Sequence, residues 1–286
     1  MATIEQSAFT DISQYLSGEH LYGDDFSTEE IEAWFADEAE GYAELGAMNR
    51  SSYSYCYHAL NYHHFFRFMK SSFFPEALGL GSAYGDEFAP IANQIAKITI
   101  LDPSQAFNID SVNGTPACRV TPKADGTMPF PECSFDLITC FGVLHHIPNV
   151  THVLKETHRC LKPGGLFLVR EPVVSMGDWR HPRRGLTKRE RGIPIKFFDN
   201  TVSNLGFIVN RRSMCDFRPI AVLANRLGCV PYNSRFLTLL DSFFSQIFQT
   251  NKTYHRTTLF QKLGPASVSY ILKKPSIVGK TVRQHA

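Results

Sequence analysis

The sequence predicts an α/β fold in which a mostly parallel sheet carries helices on both faces. From Phe74 onward, short apolar runs alternate with segments of helical spacing, as in chains that join parallel strands through crossover helices. A helix over Phe198–Leu205 is expected to end at Gly206. The seven expected strands are 76–80, 98–102, 117–121, 135–141, 166–171, 207–217 and 267–273.

A glycine-rich turn follows the first of these strands. Gly79 and Gly81 carry no Cβ, so the backbone can turn sharply there and approach a ligand closely. Asp102 ends the next strand 23 residues after Gly79. Nucleotide-binding folds offer a carboxylate to ribose hydroxyls at a spacing of about 20 residues. The pattern therefore predicts a site for an adenosine-containing cofactor.

The spacing in this turn differs from that of dinucleotide-binding folds. It reads Gly79-x-Gly81-x-x-x-Gly85, not G-x-G-x-x-G. Asp86 and Glu87 would occupy the first turn of the following helix, where two carboxylates disfavour a pyrophosphate and suit a cationic ligand. These observations favour a sulfonium cofactor over a nicotinamide one, and a glycine-rich turn without a ligand is the structural alternative.

Two further motifs follow in order along the chain. The run Phe135–Phe141 suits a buried parallel strand, and it leads into Gly-Val-Leu-His-His-Ile-Pro148. The turn Pro163-Gly164-Gly165 ends a helix and releases the apolar strand Leu166–Val169. Each motif therefore places a loop directly after or before a core strand.

In this order the motifs resemble the class I S-adenosylmethionine-dependent methyltransferases, in particular the methyltransferase type 11-like family. The resemblance covers Phe74–Pro172 and extends weakly to the strand Ser267–Lys273. It implies a Rossmann-like class I methyltransferase fold with a seven-stranded, mostly parallel sheet and S-adenosyl-L-methionine as the cofactor.

One position departs from the family pattern. The family usually has an acid two residues before its first loop glycine, and Ala77 stands at that position. The carboxylate that often helps to hold the methionine amino group is therefore missing, or Asp86 or Glu87 takes its place. The departure also leaves open a non-catalytic binding protein that keeps the cofactor fold.

The resemblance implies which loops hold the cofactor. Ligands of such sheets lie beyond the carboxyl ends of the strands. In the family the first loop contacts the methionine part, the second the ribose, the third the adenine, and the fourth lies under the sulfonium. The expected cofactor-binding residues are Gly79, Gly81, Ser82, Asp102, Pro103, Asp125, Gly126, Phe141 and Gly142.

Methyl transfer is an in-line displacement, so the protein mainly aligns the reactants and excludes water. A hydroxyl nucleophile also benefits from a general base, and histidine suits this role because its pKa lies near neutrality. His145 and His146 follow the strand 135–141 and are the candidate catalytic residues. The alternative is that both are structural.

The loop after the strand 166–171 is rich in cations. Six Lys and Arg residues fall within residues 180–191. Because arginine suits carboxylates and phosphates, this loop is predicted to bind an anionic, polar substrate. The alternative is a solvated basic loop paired with the acidic segment Asp24–Glu44, which contains nine acids and no Lys or Arg. The expected substrate-binding residues are Arg170, Glu171, Trp179, His181 and Arg184.

The chain divides into two expected parts. Residues 1–70 are predicted to form an N-terminal helical cap, because Ser27 and Glu30 form a capping-box signature ahead of an amphipathic stretch. Residues 71–286 form the predicted methyltransferase domain, with substrate-side insertions at 175–195 and 218–263.

Composition narrows the function classes. The net charge of +2 gives no case for nucleic-acid binding. No run approaches 18 apolar residues, so no membrane span is expected, and Met1–Phe9 shows no signal peptide. Seven cysteines without a C-x-x-C pair favour a reduced, cytoplasmic location, and no metal site is expected.

These observations together predict a cytoplasmic methyltransferase that acts on a hydroxyl of a polar, anionic small molecule or glycan precursor. Methylation of a nitrogen or carbon atom of another metabolite is the alternative within this class.

Overall fold

The computed structural model describes residues 12–44, 50–51, 53–69, 72–179, 181, 183 and 185–276. They contain one eight-stranded sheet in the order β3-β4-β2-β1-β5-β6-β8-β7. The strands are β1 (Phe74–Leu80), β2 (Ile95–Leu101), β3 (Ser111–Val112), β4 (Thr115–Val120), β5 (Phe135–Phe141), β6 (Leu161–Pro172), β7 (Ile208–Phe217) and β8 (Pro265–Lys273).

The sheet confirms the predicted Rossmann-like α/β class. Strands β4, β2, β1, β5 and β6 pair in parallel, whereas β8 runs antiparallel between β6 and β7. The eighth strand is β3, so the predicted count of seven was one too low. It pairs with β4 across a tight turn in which Asn113 and Gly114 have φ angles of 47° and 84°. Two consecutive residues with positive φ suit a two-residue hairpin.

The helices are α1 (Ser13–Leu16), α2 (Thr28–Glu44), α3 (His58–His64), α4 (Val150–Cys160), α5 (Ile195–Asn204), α6 (Arg218–Arg226), α7 (Arg235–Ile247) and α8 (Leu259–Lys262). Short 3₁₀ helices span Phe66–Phe68, Asp86–Gln94, Leu144–His146 and Pro231–Asn233. None of the helices in the described ranges is long and apolar enough to cross a membrane.

The helix predicted after the glycine-rich turn forms as the 3₁₀ helix Asp86–Gln94. It begins after Gly85, whose φ of 69° is left-handed, and it contains Pro90. Proline lacks the N–H that an α-helix interior needs, which favours the short 3₁₀ form here. Asp86 and Glu87 occupy its first turn, as predicted.

Apolar side chains cover both faces of the sheet. On one face Leu78 and Ile138 belong to a buried cluster with residues of α4 and α5. On the other face Ala77 and Leu137 pack in a cluster that includes Phe65, Phe66, Phe88 and Ile91. Because both faces are covered, the edge formed by the carboxyl ends of the strands is where a ligand can bind.

The N-terminal helix α2 packs against the loop after β5. It starts with the predicted capping box, in which the Glu30 N–H donates to Ser27 Oγ at 3.3 Å and the Ser27 N–H to Glu30 Oε2 at 2.8 Å. Trp34 is fully buried and donates from Nε1 to the carbonyl of His146 at 2.7 Å. The predicted boundary at residue 70 lies outside the described residues.

Candidate active site

A cavity of about 470 Å³ opens at the carboxyl ends of the parallel strands. Four predicted cofactor residues line it: Gly81, Asp102, Pro103 and Gly126. Helix α2 forms the facing wall with Phe35 and Glu38. Further lining residues include Tyr53, Leu80, Leu101, Ser104, Phe107, Met128, Val143, Leu144, His146 and Val153. The cavity therefore lies where the sequence predicts the adenosine part of a cofactor.

The glycine-rich turn needs its glycines for two different reasons. Gly81 has a φ of +58°, and a Cβ there would lie 2.6 Å from Cγ1 of Val143. A Cβ on Gly79 would instead lie 2.3 Å from Oγ of Ser82 and 2.9 Å from the ring of Phe88. Gly81 thus lets the backbone form the cavity wall, whereas Gly79 makes room for packing behind the turn.

Asp102 presents a fixed carboxylate at the end of β2. Its side chain is 5% exposed and lines the cavity. The backbone N–H of Ser104 donates to Oδ1 at 2.9 Å, and that of Ala83 donates to Oδ2 at 3.2 Å. Burial raises the pKa of Asp102 above its usual value, while these two hydrogen bonds oppose the shift. The arrangement suits hydrogen bonds to ribose hydroxyls.

The loop that contains Asp125 and Gly126, which the resemblance places beside the adenine, contributes through its backbone. Asp125 is exposed, and its Oδ1 accepts a hydrogen bond from the Thr127 N–H at 2.9 Å. Its backbone carbonyl accepts from Asn149 Nδ2 at 2.7 Å. The neighbouring residue Gly126 lines the cavity. The loop therefore supports the wall through its backbone, and the geometry does not support a cofactor contact from the Asp125 carboxylate.

A second cavity, of about 300 Å³, adjoins the first. Both are lined by Tyr53, Leu80 and Gly81, so they meet at the glycine-rich turn. The segment Tyr53–Tyr57 supplies most of the second wall, and Ser82, Glu87 and Phe141 complete it. Phe141 also stacks on Phe65 at a ring distance of 4.8 Å. Three predicted cofactor residues, Gly81, Ser82 and Phe141, therefore line this smaller cavity.

Glu87 is the acid that faces the smaller cavity. It is 4% exposed, and it accepts hydrogen bonds from the Ser82 hydroxyl and, at 2.9 Å, from Thr139 Oγ1. Burial raises the pKa of Glu87 to about 7. Asp86, the other acid considered for the missing position, is bound by Arg50 at 2.6 and 2.9 Å. Of these two acids, only Glu87 lines either cavity in the described part of the structure.

Gly142 and Arg170 lie behind the wall of the smaller cavity. The Gly142 N–H donates to the Arg170 carbonyl at 2.7 Å, and Gly142 turns the chain with a φ of +74°. The Arg170 guanidinium lies 4.4 Å from the ring centre of Tyr57, and its Nε has no hydrogen-bond partner in the described structure. The buried cation therefore supports the cavity wall through the Tyr57 ring.

Glu171 organises the loop after β5. Its Oε1 accepts from the N–H groups of Val143 and Leu144, both at 2.9 Å, and its Oε2 lies 2.8 Å from Nδ1 of His145. The side chain is 1% exposed. Its oxygens are occupied by the loop, so the geometry does not support the predicted substrate contact.

His145 lies between two carboxylates. Its Nδ1 is 2.8 Å from Glu171, and its Nε2 is 3.5 Å from Glu190. Burial lowers the pKa of His145, but hydrogen bonds and the charges of both partners outweigh it and raise that pKa to about 9. The imidazole is protonated at neutral pH and cannot accept a proton. The geometry does not support His145 as the general base.

His146 meets the requirements of a base better. It lines the larger cavity, and its Nδ1 lies 2.9 Å from Oε2 of Glu38. Burial and the charge of His145 lower the pKa of His146, so the ring is neutral at pH 7. A carboxylate at Nδ1 fixes the ring orientation, as in other carboxylate–histidine pairs.

Three side chains in this region could also hold a metal ion. His145, His146 and Glu190 offer ligand atoms that all lie within 4.8 Å of one another. The ion pair between His145 and Glu190 already explains why these groups are close.

The cation-rich loop binds the protein itself. Arg189 and Lys188 contact Asp37 of α2 at 2.6 and 3.5 Å. Arg191 is fully buried and donates to backbone carbonyls that include those of Tyr22 and Ile147. The loop is therefore paired with the acidic helix, which was the alternative to anion binding.

The remaining predicted substrate-binding residues do not lie together at one site in the described structure. Trp179 is 5% exposed, stacks on Tyr22 at 5.2 Å, and donates from Nε1 to the Ser175 carbonyl at 2.9 Å. His181 is exposed, with Nε2 4.0 Å from Asp178. Arg184 lies outside the described residues. Trp179 therefore packs on Tyr22, and the geometry does not support stacking on a substrate.

Sequence reasoning missed several wall residues. The tyrosine-rich segment Tyr53–Tyr57 was assigned to the cap, although its density of hydroxyl-bearing rings was a usable signal. Phe35 and Glu38 lie in a helix whose acidic face was noted, but no local pattern shows that it reaches the cavity. Glu87 was considered only as a substitute for the missing acid.

The sheet and the cavity at its carboxyl edge are typical of the class I methyltransferase fold. Residues 78–169 match the family model described as a methyltransferase domain. Over this stretch, about a third of its length, the chain is similar to S-adenosylmethionine-dependent methyltransferases, whose cofactor is S-adenosylmethionine.

The chain is similar to proteins of diverse substrates. It is 32% identical over 108 residues to a sterol 4-C-methyltransferase of Caenorhabditis elegans, which covers 36% of this chain and 32% of that protein. It is 39% identical over 85 residues to a tRNA U34 carboxymethyltransferase of Nautilia profundicola, covering 28% of each. The chain thus spans about a third of the length of these curated relatives.

A solved S-adenosylmethionine dependent methyltransferase from Mesorhizobium loti is 16% identical, with a TM-score of 0.45, over 71% of this chain and 91% of that one.

Proposed function

We propose that this chain transfers the methyl group of S-adenosylmethionine to a hydroxyl of a polar small molecule, glycan precursors included. The observation that carries the proposal is the pair of adjoining cavities at the glycine-rich turn. One has the buried carboxylate of Asp102 on its wall, and the other has Glu87 and a row of tyrosines. Methyl transfer needs the cofactor and the acceptor to meet at one point, and two cavities that share a wall allow this.

The residues present fit the cofactor. Asp102 suits the ribose hydroxyls, and the backbone at Gly81 allows close approach at the junction of the cavities. The methionine part of the cofactor would extend past Gly81 into the smaller cavity, where Glu87 would take the role of the acid missing at Ala77 and hold the ammonium group. When bound, the cofactor supplies an activated methyl group on a sulfonium centre. The rings of Tyr53 and Phe141 offer that cation a favourable π surface.

The smaller cavity suits a polar acceptor. Burial raises the pKa of Tyr53 and of Tyr55, so both phenols keep their protons and can donate hydrogen bonds. The Tyr55 hydroxyl accepts from Asn61 Nδ2 at 2.6 Å, which orients it. His146, neutral and oriented by Glu38, lines the larger cavity, so it is the candidate general base for an acceptor hydroxyl presented where the two cavities meet.

Calorimetric titration with S-adenosylmethionine and, separately, with NADH tests the cofactor assignment. We expect binding of the first only, and its loss in Asp102→Ala. Asp125→Ala is the matched control, since this exposed aspartate turns its carboxylate toward Thr127. Absence of binding, or equal losses in the two variants, would contradict the proposal.

A methylation screen with labelled cofactor then tests the acceptor class. Hydroxyl compounds, including sugars, are compared with amine and carbon acceptors, which are the alternative within the family. Incorporation only into amines or carbon acids would overturn the hydroxyl assignment. Cofactor binding without incorporation into any of them would favour a non-catalytic binding protein.

A further inference from the structure

The insertion 218–263 carries most of the exposed apolar surface of the protein. Seventeen large apolar side chains are exposed in the described residues, and eleven of them lie in this segment. They are Val222, Leu223, Leu227, Val230, Phe236, Leu239, Phe243, Ile247, Leu259, Phe260 and Leu263. Such a concentration marks an interaction surface, because soluble monomers rarely expose large apolar patches.

Helix α7 shows the feature most clearly, because one of its faces is apolar and exposed. Phe236, Leu239, Phe243 and Ile247 recur at helical spacing on one face and are 53–67% exposed. The opposite face buries Thr238, Asp241 and Ser245.

The inward side of α7 makes polar contacts beside the stacking of Phe244 on Phe217 at 5.5 Å. Asp241 accepts from the N–H groups of Asp216 and Phe217 at 3.0 and 2.6 Å. The hydroxyls of Thr238 and Ser245 are buried without a hydrogen-bond partner in the described structure. Since burying polar groups costs free energy and exposing apolar ones gains none, this orientation indicates that the outer face meets something apolar.

Helix α8 adds two further exposed apolar side chains to the insertion. The side-chain amide of Asn251 donates to the carbonyls of Phe260, Gln261 and Leu263 at 2.9–3.2 Å. A capping box between Thr258 and Gln261 fixes its first turn. Leu259 and Phe260 are consequently held outward at 83% and 76% exposure.

The charge of the insertion indicates the partner. Its single acid, Asp241, is fully buried, whereas five cations of the same segment are exposed. These are Arg218, Arg226, Arg235, Lys252 and Lys262. A second copy of the chain would bring like charges together, which disfavours a symmetric dimer through this face. Apolar side chains among cations match the interface of an anionic bilayer.

We propose that the outer face of α6, α7 and α8 docks on the surface of a membrane that contains anionic lipids. The apolar side chains insert at the boundary between headgroups and acyl chains, and the exposed cations pair with lipid headgroups. The inference stands on this surface alone and is independent of the proposed methyl acceptor.

Vesicle co-sedimentation of the full chain tests the proposal. We expect binding to vesicles of phosphatidylcholine with 30 mol% phosphatidylglycerol, and much weaker binding to phosphatidylcholine alone. The variant Leu259→Asp/Phe260→Asp should lower the partition coefficient at least about a hundredfold, since each side chain contributes roughly tenfold or more when buried. Lys252→Gln/Lys262→Gln should lower it roughly 30-fold, about fivefold per cation.

Matched controls lie outside the insertion. Phe73→Asp replaces another exposed phenylalanine, and Lys97→Gln another exposed lysine. Both should bind vesicles as the unchanged protein does. Circular dichroism and S-adenosylmethionine titration establish that each variant is folded.

Two results would overturn the proposal. One is vesicle binding that the insertion variants leave unchanged or that the controls lower equally. The other is a dimer in light scattering that Phe243→Gln dissociates while no vesicle binding is detected. That second result would assign the face to another copy of the chain.

Discussion

Glu87 gives the sharpest test of the cofactor site, because it links cofactor binding to pH. Burial raises the pKa of its carboxyl to about 7, and the side chain lines the smaller cavity. Only the ionised form can attract a cationic ammonium. With that pKa, about half of the protein carries the ionised group at pH 7 and about one eleventh at pH 6.

S-adenosylmethionine should therefore bind about fivefold more weakly at pH 6 than at pH 7, and about tenfold more weakly for each further unit of acidification. Near pH 7 binding should release close to half a proton, since the bound cation lowers the pKa of Glu87. Calorimetry in buffers of different ionisation enthalpy measures both the dissociation constant and the protons released.

Glu87→Gln should bind the cofactor more weakly and lose this pH dependence. Glu76→Gln is a matched control because its carboxylate belongs to the start of β1 and lines neither cavity. The assignment of Glu87 to the ammonium is wrong if the affinity of the unchanged protein for S-adenosylmethionine is the same at pH 6 and pH 7. It is also wrong if the affinity of Glu87→Gln depends on pH as strongly as that of the unchanged protein.

Three further predictions follow from the same region. Because the folded-state pKa of Glu87 is raised, its ionisation destabilises the fold as pH rises from about 4.5 to 7, and Glu87→Gln should be up to about 3 kcal/mol more stable at pH 8 in denaturant unfolding. Because the folded-state pKa of His145 is raised to about 9, its contribution is complete below about pH 6.5 and is lost as pH passes 9. Unfolding of His145→Gln should lack this decline, and a decline equal to that of the unchanged protein would refute the assignment. Gly81→Ala should weaken cofactor binding at least about tenfold, because the position has a positive φ and the new Cβ would clash with Val143. Adding Val143→Ala to this variant should restore part of the affinity measured by titration. If affinity is not restored, the clash is not the cause of the loss.

Local patterns predicted the parts of the site that lie within one βαβ unit. The turn at Gly81 and the acid at Asp102 follow from spacing alone, because both belong to consecutive strands and the turn between them. The short strand β3 was missed although the pair Asn113-Gly114 is a strong hairpin signal. The sequence therefore contains enough local information to predict this strand.

Other parts depend on contacts between distant segments. Histidine is a residue type that often acts as a general base, but Glu171 and Glu190 keep His145 protonated. These two acids lie 26 and 45 residues further along the chain. The composition of the cation-rich loop favours an anion site, but Arg189 of that loop lies 2.6 Å from Asp37 of α2. The sequence gives the net charge of a segment, whereas the fold determines whether other residues of the protein already neutralise that charge.

The insertion and the smaller cavity form one packed unit, which gives the two proposals a common structural basis. Tyr57 of the cavity wall stacks on Tyr232 of the insertion at 5.7 Å. Asn233 accepts from the His58 N–H and donates to the Tyr55 carbonyl, both at 2.9 Å. The wall that faces the acceptor is therefore supported from behind by the same segment whose outer face is apolar and cationic. A protein docked through that face would hold its tyrosine wall close to the bilayer, so an acceptor displayed on a lipid would reach the cavity over a short path.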